Sequence, residues 1–238
     1  LTDPVTVCTW NVHECVGGDG QHDPERVAAV LGEIAADVVA MQEVHSDTRG
    51  GGARDQARFL ADSAGFELVA GPTLRRRGGD YGNLLLTRMP IQSVRRHDLS
   101  VPGREPRGAI EVLLQAGAAR LRVVVTHLGL RASERATQAR WLLDSLDASA
   151  GHETLAVVGD WNEWLPWRTA LRLPRRRFGS LPAPRTFPAR RPALALDRVW
   201  VEPPSHLLHL AVHRSPLSHR ASDHLPLVAR VRLRHGGG

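Results

Sequence analysis

Residues 154–162, TLAVVGDWN, run from a hydrophobic strand directly into an acidic, amide-bearing loop. Thr154 to Gly159 has the length and composition of a buried strand, Asp160 lies just past its end, and Asn162 follows two residues later. Carboxylate and amide groups at that point put hard oxygen donors, the kind that suit Mg²⁺, at one edge of a sheet, where loops carry function. The pattern recurs outward in both directions. Val5–Trp10 (VTVCTW) leads into Asn11 and His13, Asp37–Glu43 ends in Gln42 and Glu43, and Arg120–His127 ends in a histidine. Asp197 stands at the head of a strand over Leu194–Val201, and Asp223-His224 precedes Pro226–Arg232.

Between these strands the signals change to helical. Asp23-Pro24 is an N-cap followed by proline in the first turn, and Val27, Val30, Leu31 and Ile34 continue at helical spacing. Arg54–Ala64 reads as a second helix, and Ser133–Leu146 as a third with Ser133 as its N-cap. Further strands are expected over Phe66–Ala70, Tyr81–Thr87, Arg107–Gln115 and Leu207–Val212. Helices do not follow every strand, so a sheet-rich sandwich with helices outside is expected rather than a doubly wound sheet. Two segments read as surface loops: the polar, Gly-rich Asp47–Gly52 and the Arg- and Pro-rich Pro174–Pro192. Neither reads as a linker, so residues 1–234 are expected to form a single domain, with 235–238 as a flexible tail.

The chain has 238 residues, 42% hydrophobic and 24% charged, enough for a sizeable core without metal or disulfide staples. No apolar run approaches a membrane span, so no stable membrane insertion is expected. The first residues read as a strand and lack the order of a signal peptide, which makes the cytoplasm the expected compartment. Cys8 and Cys15 lack metal-ligand spacing and are expected as free thiols. The net charge of +6 and pI near 10.9 come entirely from arginine, because the chain contains no lysine. GC-rich coding accounts for that bias simply, so the basicity is weak support for an anionic substrate. No protein partner is inferred.

No one of these segments identifies a site, but their order does. TWNVH (9–13), QEV (42–44), YGN (81–83), THL (126–128), GDWN (159–162), LDRVWV (196–201) and SDHLPL (222–227) resemble, in sequence order, the motifs of the endonuclease/exonuclease/phosphatase superfamily. The resemblance covers nearly the whole chain, and GDWN and SDHLPL are its most specific parts. It implies an α+β fold, a four-layer α/β/β/α sandwich of DNase I type, with two mixed sheets face to face and helices outside. It also implies Mg²⁺- or Mn²⁺-dependent cleavage of a phosphate ester, with a diester expected.

Carried over residue by residue, the resemblance implies that Glu43, Asn11 and Asp223 hold the metal. Asp160 would activate the attacking water, and Asn162 would position it. His127 and His224 would stabilise the phosphate, with Asp197 orienting His224. Asn83, Arg107 and Tyr81 are candidates for substrate binding. Tyr81 reads equally as core packing, and Arg107 equally as an ion pair with Glu105 or Glu111. His13 stands where related nucleases often carry an acidic residue or arginine, which argues against one class of DNA nuclease. Nucleic acid and a phospholipid head group remain competing substrates. TFP (186–188) before LDR resembles a subgroup tied to phospholipid metabolism, and Arg175–Arg177 could approach an anionic surface, although a solvated loop is the simpler reading. Among Trp161, Trp164 and Trp167, an exposed cluster could stack on a base or dip into lipid, while at least one is expected in the core. The alternative to an enzyme is a catalytically silent module that keeps the fold and binds phosphate or nucleic acid.

Overall fold

A computed structural model describes residues 3–46, 55–76, 79–147, 151 and 153–234. Its first half contains β1 (Val5–Asn11), α1 (Pro24–Ile34), β2 (Val38–Ser46), α2 (Gln56–Ala64), β3 (Glu67–Arg76), β4 (Gly79–Thr87) and β5 (Ile91–Asp98). The second half contains β6 (Gly108–Ala116), β7 (Ala119–His127), α3 (Ala132–Asp147), β8 (Thr154–Asp160), α4 (Thr169–Phe178), β9 (Asp197–Glu202), β10 (Leu207–Val212), α5 (Ser218–Ala221) and β11 (Leu227–Val231). The strands form a six-stranded sheet, in the order β10-β11-β1-β2-β4-β3, and a five-stranded sheet, in the order β5-β6-β7-β8-β9. Each sheet is antiparallel apart from one central parallel pair, β1 with β2 and β7 with β8.

Side-chain alternation along these strands generates four layers. Val5, Val7, Val38 and Leu85 from one sheet meet Val123, Val125, Val158 and Val199 from the other in a core between the sheets. The alternate residues point outward. Trp10, Val39 and Met41 pack with Val27, Val30 and Leu60 of α1 and α2. Val124, Val157 and Trp200 pack with Leu142, Leu146 and Phe178 of α3 and α4. The expected sandwich of two mixed sheets with helices outside is therefore the observed fold.

Asp23 caps α1 as read, accepting from the Arg26 amide at 2.9 Å. The expected loop over 174–192 is a correction, because its first part belongs to α4. Ala170, Leu171, Pro174 and Phe178 are buried at helical spacing, and that packing outweighs the internal proline. Ser133 is also corrected: α3 begins at Ala132, so Ser133 sits inside the first turn. Strand β5 had no sequence signal, since its arginine-rich stretch is an edge strand with mostly exposed side chains. Cys8 and Cys15 are free and buried. The expected loop over 47–52 and the tail over 235–238 lie outside the described residues. No helix among the described residues is long and apolar enough to cross a membrane.

Candidate active site

The same alternation that fills the centre of the sandwich builds the site. The inward-facing stripe of β1 passes from Val5 and Val7 to Thr9 and then Asn11; that of β7 passes from Val123 and Val125 to His127. On β8 it runs from Ala156 and Val158 to Asp160. Both parallel pairs end at this edge, with Asn11 opposite Gln42 and His127 opposite Asp160. Strand β9 runs antiparallel and begins there, with Asp197 opposite Asp160. Strand β11 also starts at this edge, which brings in the segment 222–224. The site is thus the polar rim of the inter-sheet core, at the carboxyl ends of the central strands.

Glu43 reaches the rim by a different device. Strict alternation after Val39 and Met41 would turn it out beneath the helices. A bulge instead opposes two residues of β2 to one of β4 between Met41 and Val44, and Glu43 takes a left-handed φ of 60°. Its carboxylate is thereby re-aimed to the inner side, while Val44 returns to the outer core. Asp160 depends on a close approach: a Cβ on Gly159 would lie 1.9 Å from the Thr126 carbonyl oxygen, so only glycine lets β8 meet β7 here.

These groups converge on a cavity of about 480 Å³. The Asn11 amide nitrogen donates to Glu43 Oε1 at 2.9 Å and to Asp160 Oδ2 at 3.2 Å. The same Asp160 oxygen lies 3.6 Å from Nε2 of His127 and 3.7 Å from Nε2 of His224. Its other oxygen accepts from the Asn162 backbone amide at 2.8 Å. The Asn162 side chain donates to the Leu128 carbonyl at 2.9 Å and sits 3.1 Å from His127 Nε2. Behind His224, Asp197 is fully buried, and its Oδ2 takes the His224 Nδ1 at 2.9 Å and the Thr186 hydroxyl.

The two imidazoles facing Asp160 are pushed in opposite directions. Burial dominates at His127 and, against the pull of Asp160, lowers its pKa to about 3, with Arg107 and His224 adding to the effect. Burial also opposes charge on His224, but Asp197 and then Asp160 outweigh it and raise the pKa to about 10. At neutral pH the site therefore holds one neutral and one cationic imidazole.

Asn11, Glu43, His127, Asp160, Asn162, Asp223 and His224 all line this cavity, as do Tyr81 and Arg107. Tyr81 is buried against the His45 ring and Arg107 pairs with Glu105 at 3.0 Å, the packing and ion-pair readings of the sequence. Asn83 is not among the lining residues. It lies one inward position deeper on β4 and bonds the Gly108 carbonyl across the sandwich at 3.0 Å. Trp161 is fully buried, whereas Trp164 is exposed at the mouth and Trp167 is exposed nearby. Sequence reasoning missed the fastenings. Ser222 donates to the Asn11 carbonyl at 2.8 Å, and the Trp10 indole donates to the His224 carbonyl at 2.9 Å. Arg198 reaches the Glu163 carbonyl at 3.1 Å, and Glu163 pairs with Arg135 at 2.8 Å, both buried.

Carboxylates dominate the lining: Glu14, Glu43, Glu105, Asp160 and Asp223 face Arg107 and His224. Such a cavity repels phosphate unless a cation intervenes, and its oxygen donors suit a hard divalent ion. Among the described residues, Asp160, Asp197 and His224 bring one ligand atom each within 4.8 Å of one another and could hold a metal.

Residues 8–224 match the Endonuclease/Exonuclease/phosphatase family. The uncharacterized protein YbhP of Escherichia coli is 30% identical over 222 residues, covering 84% of this chain and 85% of the relative. An endonuclease/exonuclease/phosphatase structure from Beutenbergia cavernae superimposes with a TM-score of 0.73 at 27% identity, covering 99% of this chain and 72% of that one. The human Nocturnin catalytic domain, with bound sulfate, gives a TM-score of 0.73 at 20% identity, covering 98% and 96%. The last likeness is one of fold.

Proposed function

The chain belongs to the endonuclease/exonuclease/phosphatase family, and on that premise we propose that it hydrolyses a phosphodiester with Mg²⁺ or Mn²⁺ as cofactor. The observation that carries this reading is the convergence of Asn11, His127 and His224 on one oxygen of Asp160, with Glu43 on the same amide donor. Two carboxylates, Glu43 and Asp160, that share the amide donor of Asn11 fit a site of oxygen donors that takes a cation. Glu43, Asn11 and Asp223 would hold it. The trio of Asp160, Asp197 and His224 suits the role less well, because His224 is cationic and Asp197 Oδ2 already accepts two hydrogen bonds. When bound, the ion supplies neutralisation of the phosphate and stabilisation of charge developing on oxygen.

The protein's own groups supply the rest. Asp160, held by the Asn162 amide, takes the proton of the attacking water. His224, kept charged by Asp197, donates to the phosphate as negative charge accumulates. His127, held neutral, and Asn162 position the water and a phosphate oxygen without adding charge beside Asp160. Tyr81 and Arg107 contact the substrate at the wall. A nucleic acid and a phospholipid-like diester both present the required group.

The test is release of p-nitrophenol from bis-p-nitrophenyl phosphate. Turnover should require Mg²⁺ or Mn²⁺, stop with EDTA, and fall on the order of 10²–10³ in Asp160→Ala and His224→Ala. No turnover with either metal, in protein that still binds phosphate, would favour a silent binding module instead.

A further inference from the structure

Next to the catalytic cavity the chain builds a basic one. Residues 188–191 form a tight turn, closed by the Arg191 amide donating to the Pro188 carbonyl at 3.1 Å. The turn is clamped to the site: the Ala189 amide donates to the Asp223 carbonyl at 2.6 Å, and its own carbonyl lies 2.6 Å from Nδ1 of His219. It walls a cavity of about 480 Å³ whose lining includes Gly18, Pro188, Arg190, Arg191 and Asp223. Asp223 also lines the catalytic cavity, so the two adjoin at that residue.

The arginines here differ from the others near the site. Arg26, Arg107 and Arg135 are committed to Asp23, Glu105 and Glu163. Arg190 and Arg191 are exposed, and neither has an ion pair or a side-chain hydrogen bond among the described residues. Two free guanidiniums beside one carboxylate, on a backbone fixed relative to the catalytic rim, form a phosphate-binding wall. We propose that the Arg190–Arg191 cavity is a subsite for a second phosphate group of the substrate, adjacent to the one that is cleaved. This rests on the phosphodiesterase reading and narrows it to substrates carrying a further phosphate.

The two cavities respond differently to metal, which separates the tests. Without metal the carboxylate-lined cavity repels phosphate, whereas the arginine cavity does not. The full chain in EDTA, titrated with inorganic phosphate by ³¹P line broadening, should show saturable binding that weakens at least tenfold in R190Q/R191Q. No binding by the wild type, or equal binding by the double variant, would overturn the subsite, and neither result depends on turnover. With Mg²⁺, thymidine 5′-(p-nitrophenyl phosphate) is then compared with its 3′-phosphorylated form. The wild type should prefer the second ester on the order of tenfold in kcat/KM, through KM, and the ratio should fall to about one in the double variant. A wild-type ratio near one would mark a site for free phosphate and refute the substrate subsite, as would a preference that survives the double substitution.

Discussion

Replacing Asp197 with asparagine removes one buried charge while leaving the shape of the site almost intact. The rise of His224 from 6.5 to about 10 corresponds to about 5 kcal/mol in favour of the charged ring. Burial works against that preference, and Asp197 is the largest influence supporting it, through its charge and its 2.9 Å hydrogen bond. Once the charge is gone, only Asp160 and Asp223 still work against burial, and the His224 pKa should fall below the assay pH. At pH 7.5 the ring would then be neutral, and the charged donor to the phosphate would be lost. The expected cost is on the order of 10²–10³ in kcat for bis-p-nitrophenyl phosphate. Because the variant regains the imidazolium on acidification, the deficit should shrink toward pH 5.5 and widen toward pH 8.5. Imidazole ¹⁵N spectra give an independent reading, with His224 protonated at pH 8 in the wild type and neutral in Asp197→Asn. A variant within threefold of wild type at pH 7.5, or one whose His224 stays protonated at pH 8, would refute the reasoning.

Further consequences concern stability. In metal-free protein, the unfolded chain binds a proton at residue 127 between pH 6.5 and about 3 that the folded ring does not, so stability falls as pH drops through that window. His224 acts oppositely: its contribution is complete below pH 6.5 and is lost as pH rises toward about 10. Melting temperatures in EDTA across pH 4–10 should therefore fall less steeply on the acid side in His127→Gln and less steeply on the alkaline side in His224→Gln. Breaking the buried Arg135–Glu163 pair with Glu163→Gln should lower stability by about 3 kcal/mol in urea titrations, since Arg135 is left without its counter-charge. Gly159→Ala should cost about 3 kcal/mol or more, because its Cβ has no room before the Thr126 carbonyl and φ is +143°. Wild-type midpoints in either variant would contradict the close packing inferred for that position.

Most of the architecture could be read because the apolar stripes of β1, β7 and β8 are long and turn polar just where the strands end. Asn11, His127 and Asp160 are thus visible in sequence as the ends of those stripes. What remained hidden depends on contacts between distant segments. Glu43 faces the cavity only because of a bulge, and alternation alone would have turned it outward. Asn83 belongs to a familiar motif but sits one pair deeper than Tyr81 and bridges the sheets instead of lining the cavity. The motif containing Thr186 was noticeable, yet nothing local ties its hydroxyl to Asp197. Helix α4 was obscured by Pro174 and its arginines, although Ala170, Leu171 and Phe178 already carried the spacing of a packed face.

The most direct examination of the central claim is a crystal of the protein soaked in Mn²⁺, with anomalous diffraction locating the ion. A single dominant peak coordinated by Glu43, with Asn11 and Asp223 beside it and Asp160 facing it, is the result expected. A peak bound instead by His224 and Asp197, or an ion found only on the outer surface in protein that hydrolyses the diester, would contradict it.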